Sequence, residues 1–135
     1  MITRIRISSQ GQGLLDITSR VQQVLQQASH QSGLCSLMIQ HTSASLIIQE
    51  NADPSVQRDL ENWLNRLVSE NDALYTHTME GADDMPAHLK SVLTNTSLAI
   101  PYEDRRLCLG VWQAIYLWEH RYCAHEREIV IHLGE

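Results

Sequence analysis

The chain opens on an alternation of apolar and charged positions. In "ITRIRIS", Ile2, Ile5 and Ile7 nearly alternate with Arg4 and Arg6, which predicts a strand with one buried face. Gly11 and Gly13 break the pattern, and "LLDI" reads as a short second strand. From Thr18 the period changes: Val21, Val24, Leu25 and Ala28 recur at helical spacing, with Gly33 beyond the expected end. Two apolar runs, "LCSLMIQ" (34–40) and "SLIIQE" (45–50), suit buried strands. Asp53 and Pro54 predict a capped helix start. Val56, Leu60, Trp63, Leu64, Leu67 and Val68 then fall at steps of three and four, an amphipathic pattern with that face inward. Residues 69–84 read mostly as loop, and a shorter helix is predicted after Asp84 with Leu89, Val92 and Leu93 facing inward. The last third, "SLAIP", "RLCLG", "VWQAIYLWEH" and "REIVIHL", reads as strands. In the third of these, Trp112, Ala114, Tyr116, Trp118 and His120 are predicted to share one face, with Gln113, Glu119 and Arg121 on the other.

About seven strands and three helices, grouped rather than alternating, predict an α+β fold built mainly on antiparallel sheet, as a single domain over residues 1–135. Composition changes this picture little. Phe is absent, so aliphatic residues and the three tryptophans are expected to fill the interior, with the three cysteines also read as core. A net charge of −6 without a basic run argues against a nucleic-acid partner. An odd number of well-separated cysteines without a CxxC pair argues for a reducing compartment. The N-terminus lacks the apolar core of a signal peptide, and no segment reaches the ~18 apolar residues of a membrane span. A cytoplasmic protein without a membrane partner is expected.

Candidate chemistry concentrates at four histidines that stand among other polar residues: His41 in "QHTSASL", His77 in "YTHTMEG", His88 in "MPAHLKS" and His120 in "WEHRY". Imidazole ligates transition metals and transfers protons near neutral pH. None of these segments carries the two histidines at i, i+4 of a helical zinc motif such as HExxH, so a metal site has to be assembled by the fold. Taken singly, each reads first as a surface or hydrogen-bonded structural imidazole. In "EGADDMPAHLKS", Asp83 and Asp84 either cap a helix or help hold a divalent cation. Ser91, three residues after His88, projects to the same side of that helix, and Lys90 is read as solvated. Thr42, Ser43 and Ser45 are hydroxyls for an anion or for an ordinary turn. Glu50 and Asn51 form a second polar group, and Arg121 either clamps a phosphate or pairs with Glu119 or Glu126.

Together, "QHTSASL", "ENADPSV", "EGADDMPAHLKS", "SLAIP", "WQAIYLWEHR" and the closing "GE" resemble the YjbQ-like family, in order from about Ile2 to Glu135. Members of that family are often labelled secondary thiamine-phosphate synthases. The resemblance implies a homotrimer with polar clefts for a metal or anion. It also implies an activity: joining hydroxymethylpyrimidine diphosphate to a thiazole phosphate with release of pyrophosphate. His41, Ser43, Ser45, Glu50, Asn51, His77, Asp83, Asp84, His88, Ser91, His120 and Arg121 match the family's polar positions. On that reading His77, His88, His120, Asp83 and Asp84 are candidates for a divalent metal, Mg²⁺ or Zn²⁺. Ser43, Ser45, Glu50, Asn51, Ser91 and Arg121 would meet a small phosphorylated metabolite, and His41, His88 and His120 would move protons. The alternatives are a non-catalytic trimer that binds a metal or phosphorylated metabolite, and a metal-dependent phosphate-ester hydrolase. Two departures stand out: Val111-Trp112-Gln113-Ala114 replaces Thr-Trp-Gln-Gly, and "YCAHERE" replaces a glycine-rich turn. Both put a Cβ where the family has the conformational freedom of glycine.

Overall fold

The computed structural model describes residues 1–134; the final Glu135 of the motif "GE" lies outside them. Three helices and eight strands follow in the order β1 (Ile2–Ser8), β2 (Gly13–Asp16), α1 (Thr18–Leu25), β3 (Gly33–Ile39), β4 (Ala44–Glu50), α2 (Pro54–Leu67), α3 (Asp84–Leu93), β5 (Ser97–Glu103), β6 (Arg106–Leu107), β7 (Gln113–Glu119) and β8 (Glu126–Gly134). All pairings are antiparallel, in a five-stranded sheet ordered β1-β8-β3-β5-β6 and a three-stranded sheet ordered β2-β7-β4. The α+β expectation is met. No helix among the described residues is long and apolar enough to cross a membrane.

Alternation decides the layers. On the large sheet, Ile5, Ile7, Cys35, Leu37, Ile39, Ile129, Ile131 and Leu133 point inward, against Leu46, Ile115 and Leu117 of the small sheet and Val21, Val24 and Leu25 of α1. Each such aliphatic side chain contributes roughly 1.5–3 kcal/mol when fully buried. Its outer face leaves Ile2, Leu34 and Met38 exposed. The small sheet is covered on both sides, so β7 is buried from Ala114 to Glu119 rather than on one face. On its far side Trp118 packs with Leu64 of α2 and with Val68, the residue that caps the helix end.

The helices differ from the pattern in instructive ways. Asp53 caps α2 as expected, its carboxylate accepting the Ser55 N–H at 2.9 Å with Pro54 in the first turn. Of its apolar positions the i, i+4 row of Leu60, Leu64 and Val68 packs against Trp118, however, and Trp63 and Leu67 are about half exposed. In α3 the inward face is Asp84, Pro86, Ala87, Lys90 and Ser91, while Val92 and Leu93 face solvent and Leu89 is half-buried. The cause is close approach to β4: Ser91 Oγ donates to the Ala44 carbonyl at 3.2 Å, leaving no room for a large apolar face. Lys90 is therefore 3% exposed, not solvated, with Nζ 2.5 Å from Asn65 Oδ1. Trp112, Cys108 and Cys123 are exposed as well, so the core reading holds only for Trp118 and Cys35. Ala114 and Ala124 keep negative φ, so these two departures place no strain on the backbone.

Candidate metal centre

The first turn of α3 settles the role of the paired aspartates. Asp83 occupies the N-cap position, but its side chain makes no capping bond. Its Oδ2 instead accepts the Arg121 Nε–H at 2.9 Å and the Tyr122 backbone N–H at 2.8 Å. Asp84, 5% exposed, accepts Arg121 Nη1–H on Oδ1 at 2.8 Å. Its Oδ2 faces His77 Nε2 at 2.6 Å and His88 Nε2 at 3.2 Å. Helix capping, the simpler expectation for this pair, is thus not what either carboxylate does.

His77, Asp84 and His88 each turn one ligand atom toward a common point, all within 4.8 Å of one another. They form the one such group of three among the described residues. Hydrogen-bond chemistry says what the point is for. His88 Nδ1 lies 3.0 Å from the Thr42 carbonyl, which can only accept, so the ring proton sits on Nδ1. The Nε2 lone pair then faces the lone pairs of Asp84 Oδ2, an arrangement that calls for a proton or a cation between them. A ring whose far N–H is held by a backbone carbonyl is also how ligating histidines are oriented. Two imidazoles and one carboxylate oxygen suit a zinc-class divalent ion, with room for a further ligand. Burial raises the Asp84 pKa, but the His77 hydrogen bond and the Arg121 charge outweigh it, leaving it below the usual value and the carboxylate ionised. Two cavities flank the group. One of about 290 Å³ is lined by His41, Thr42, His88, Ser91, Val92 and Thr96; the other, about 200 Å³, includes Tyr75, His77, Thr78 and Met85.

The other predicted residues are placed elsewhere or occupied otherwise. All three guanidinium nitrogens of Arg121 are engaged, the last by the Glu80 carbonyl at 2.9 Å, so it braces the aspartates rather than waiting for a phosphate. His41 Nε2 accepts the Glu128 N–H at 2.8 Å, and burial followed by the Arg127 charge keeps the ring neutral. Ser43 Oγ accepts from Arg127 at 3.0 Å. Arg127 in turn forks onto buried Glu119, at 2.8 Å to Oε1 and 2.5 Å to Oε2, and Ser9 Oγ adds a bond to Oε1 at 2.6 Å. His120 is 1% exposed, with Nε2 2.9 Å from Ser45 Oγ; burial, then the Lys90 charge, pushes its pKa down to about 3. It is a neutral core ring outside the His77–Asp84–His88 group. Glu50 and Asn51 lie at the opposite end of β4 from Ser45, roughly 15–20 Å along the strand. Arg127 was not singled out by its sequence context. Asp84 and His88 did carry a signal, because i, i+4 places them on one helix face; a search for two histidines at that spacing passes over a carboxylate–histidine pair.

A two-sheet α+β domain with a histidine–carboxylate cluster at a helix start defines the class. The UPF0047 protein YjbQ-like family model matches residues 3–135, and the chain belongs to that family. It is 50% identical over 128 residues to the UPF0047 protein sll1880 of Synechocystis sp., covering 95% of this chain and 87% of the relative. It is 48% identical over 98 residues to YjbQ of Escherichia coli O157:H7, covering 73% and 70%. Among solved structures, a conserved hypothetical protein of Thermus thermophilus superposes with a TM-score of 0.88 at 35% identity, over 98% of this chain and 99% of the other. These names correct one expectation. The relatives are called UPF0047 or YjbQ-like and none of these names is that of a thiamine-phosphate synthase, so the transferase activity implied by the resemblance is withdrawn.

Proposed function

We propose that this protein binds a zinc-class divalent cation through His77 Nε2, Asp84 Oδ2 and His88 Nε2. One observation supports the reading: two imidazole nitrogens converge on a single carboxylate oxygen, and the Thr42 carbonyl holds the Nδ1 proton of His88, so that Nε2 is the nitrogen turned to that point. When bound, such a cation supplies Lewis acidity, polarising a ligand oxygen or bringing a water's pKa to about 7. Two imidazoles among three ligands disfavour Mg²⁺, which prefers an all-oxygen octahedron. The carboxylates of Asp83 and Asp84 against the Arg121 guanidinium leave one negative charge, which a divalent ion converts to a net positive one. A small anionic metabolite is therefore the ligand class that fits beside it, with the hydroxyls of Thr42 and Thr96 in the adjoining cavity.

The test is calorimetric titration of metal-stripped protein with Zn²⁺ and Mg²⁺. One Zn²⁺ per chain is expected, with Mg²⁺ far weaker. Asp84→Asn and His88→Ala should each weaken Zn²⁺ by more than the roughly 10–100-fold typical of losing an outer-shell partner. Unchanged Zn²⁺ affinity in both folded variants rejects the centre.

A further inference from the structure

We infer that Arg121 is the positioning residue that determines which cation this centre accepts, by reserving one oxygen of Asp84 for itself; the inference rests on the metal reading above. Arg121 Nη1 holds Asp84 Oδ1 at 2.8 Å, so Oδ2 alone is left toward His77 and His88. The fork is braced at every other point. Nε donates to Asp83 Oδ2 at 2.9 Å and Nη2 to the Glu80 carbonyl at 2.9 Å. The Arg121 backbone N–H donates to Glu119 Oε2 at 3.2 Å, which ties the residue to the buried ion pair of the two-sheet core. Gly81, at φ +110°, makes the turn after Glu80, and a Cβ there would meet Asp83 Oδ1 at 3.2 Å. A planar guanidinium pinned at three nitrogens cannot swing away to release the second oxygen.

Denying that oxygen has a chemical consequence. Larger, harder cations build high coordination numbers from oxygens and often take a carboxylate in bidentate fashion. Four-coordinate zinc needs one oxygen from Asp84 and nothing more. Arg121 thereby makes the centre selective for tetrahedral, nitrogen-preferring ions without touching the ion itself.

The experiment compares wild type, Arg121→Gln and Arg121→Lys, each metal-stripped and confirmed folded by circular dichroism. Zn²⁺ and Mn²⁺ affinities come from calorimetry, and Co²⁺ serves as a spectroscopic probe, because its visible bands are intense in four-coordination and weak in higher coordination. Arg121→Gln is expected to lower the Zn²⁺/Mn²⁺ affinity ratio at least tenfold, within the ~10–100-fold range for outer-shell partners, and to weaken the Co²⁺ bands. Arg121→Lys keeps the charge but lacks the fork, so it should not restore either. An unchanged ratio and spectrum in Arg121→Gln, or full rescue by Lys, overturns the inference. Should Arg121→Gln not fold, Asp83→Ala removes the acceptor of the Nε–H and of the Tyr122 N–H, and should shift both readouts the same way by less; no shift there also overturns it. Wild type that takes up neither Zn²⁺ nor Co²⁺ defeats the metal reading itself, a result distinct from either.

Discussion

Two histidine–carboxylate–arginine groups lie beside each other where β7 ends, and they do opposite things. In the inner group, Glu119 and Arg127 are 0% and 3% exposed, every charged atom of Glu119 has a donor, and His41 and His120 are held neutral. In the outer group, the Asp84 carboxylate is just as well anchored by Arg121, yet His77 and His88 are partly open to the surface and both turn Nε2 to the same Asp84 oxygen. Residue type does not separate them; the exposure of the rings does. A buried ion pair with all its partners is a strut. An anchored carboxylate facing two partly exposed rings is a place for a ligand.

The hardest way to break the comparison is to open the strut. Arg127→Met leaves Glu119 buried without its counter-charge and should cost about 3–5 kcal/mol, read by urea or thermal unfolding. Zn²⁺ uptake per folded molecule should survive; its loss at conditions where the variant is folded would mean the groups are one unit. A metal-side test is next in size. Zn²⁺ at about 100 times its dissociation constant should raise wild-type stability by about 2.7 kcal/mol and that of Asp84→Asn by much less. Equal stabilisation in both would place the ion elsewhere.

The smallest effect is a pH slope. His120 is held near pKa 3 when folded, against 6.5 for an ordinary histidine. Its contribution is complete above pH 6.5 and drains as pH falls, because the unfolded chain then takes a proton the folded one refuses; the loss levels off near pH 3. The slope is half its maximum at pH 6.5 and approaches about 1.4 kcal/mol per pH unit below it, so about 1.6 kcal/mol is lost between pH 6.5 and 5. Urea unfolding of wild type and His120→Gln across that interval should show the steeper acid decline only in wild type. Parallel curves would mean that His120 is protonated inside the fold.

The fold was largely legible because alternation and turn residues speak directly about burial: "ITRIRIS", "LCSLMIQ" and "REIVIHL" became β1, β3 and β8 of one sheet. Pattern failed where an inward face is small and polar, as in α3, whose apolar Val92 and Leu93 point outward. The outer site was half legible. His77, Asp84, His88 and Arg121 stood out by type, but a carbonyl such as that of Thr42 has no sequence signature, and it is what commits the His88 tautomer. Burial also could not be read at His120, whose neighbours Ser45 and Trp118 come from other parts of the chain or the same strand's face.

Glu119, His120 and Arg121 are consecutive, yet one belongs to the strut between the sheets, the next to the packing beside Ser45 and Trp118, and the third to the brace on the aspartates. Glu119 closes β7 and His120 and Arg121 follow directly beyond it, so this short run serves three masters only while the strand's register is kept. Sliding β7 by a single position would unseat all of them together.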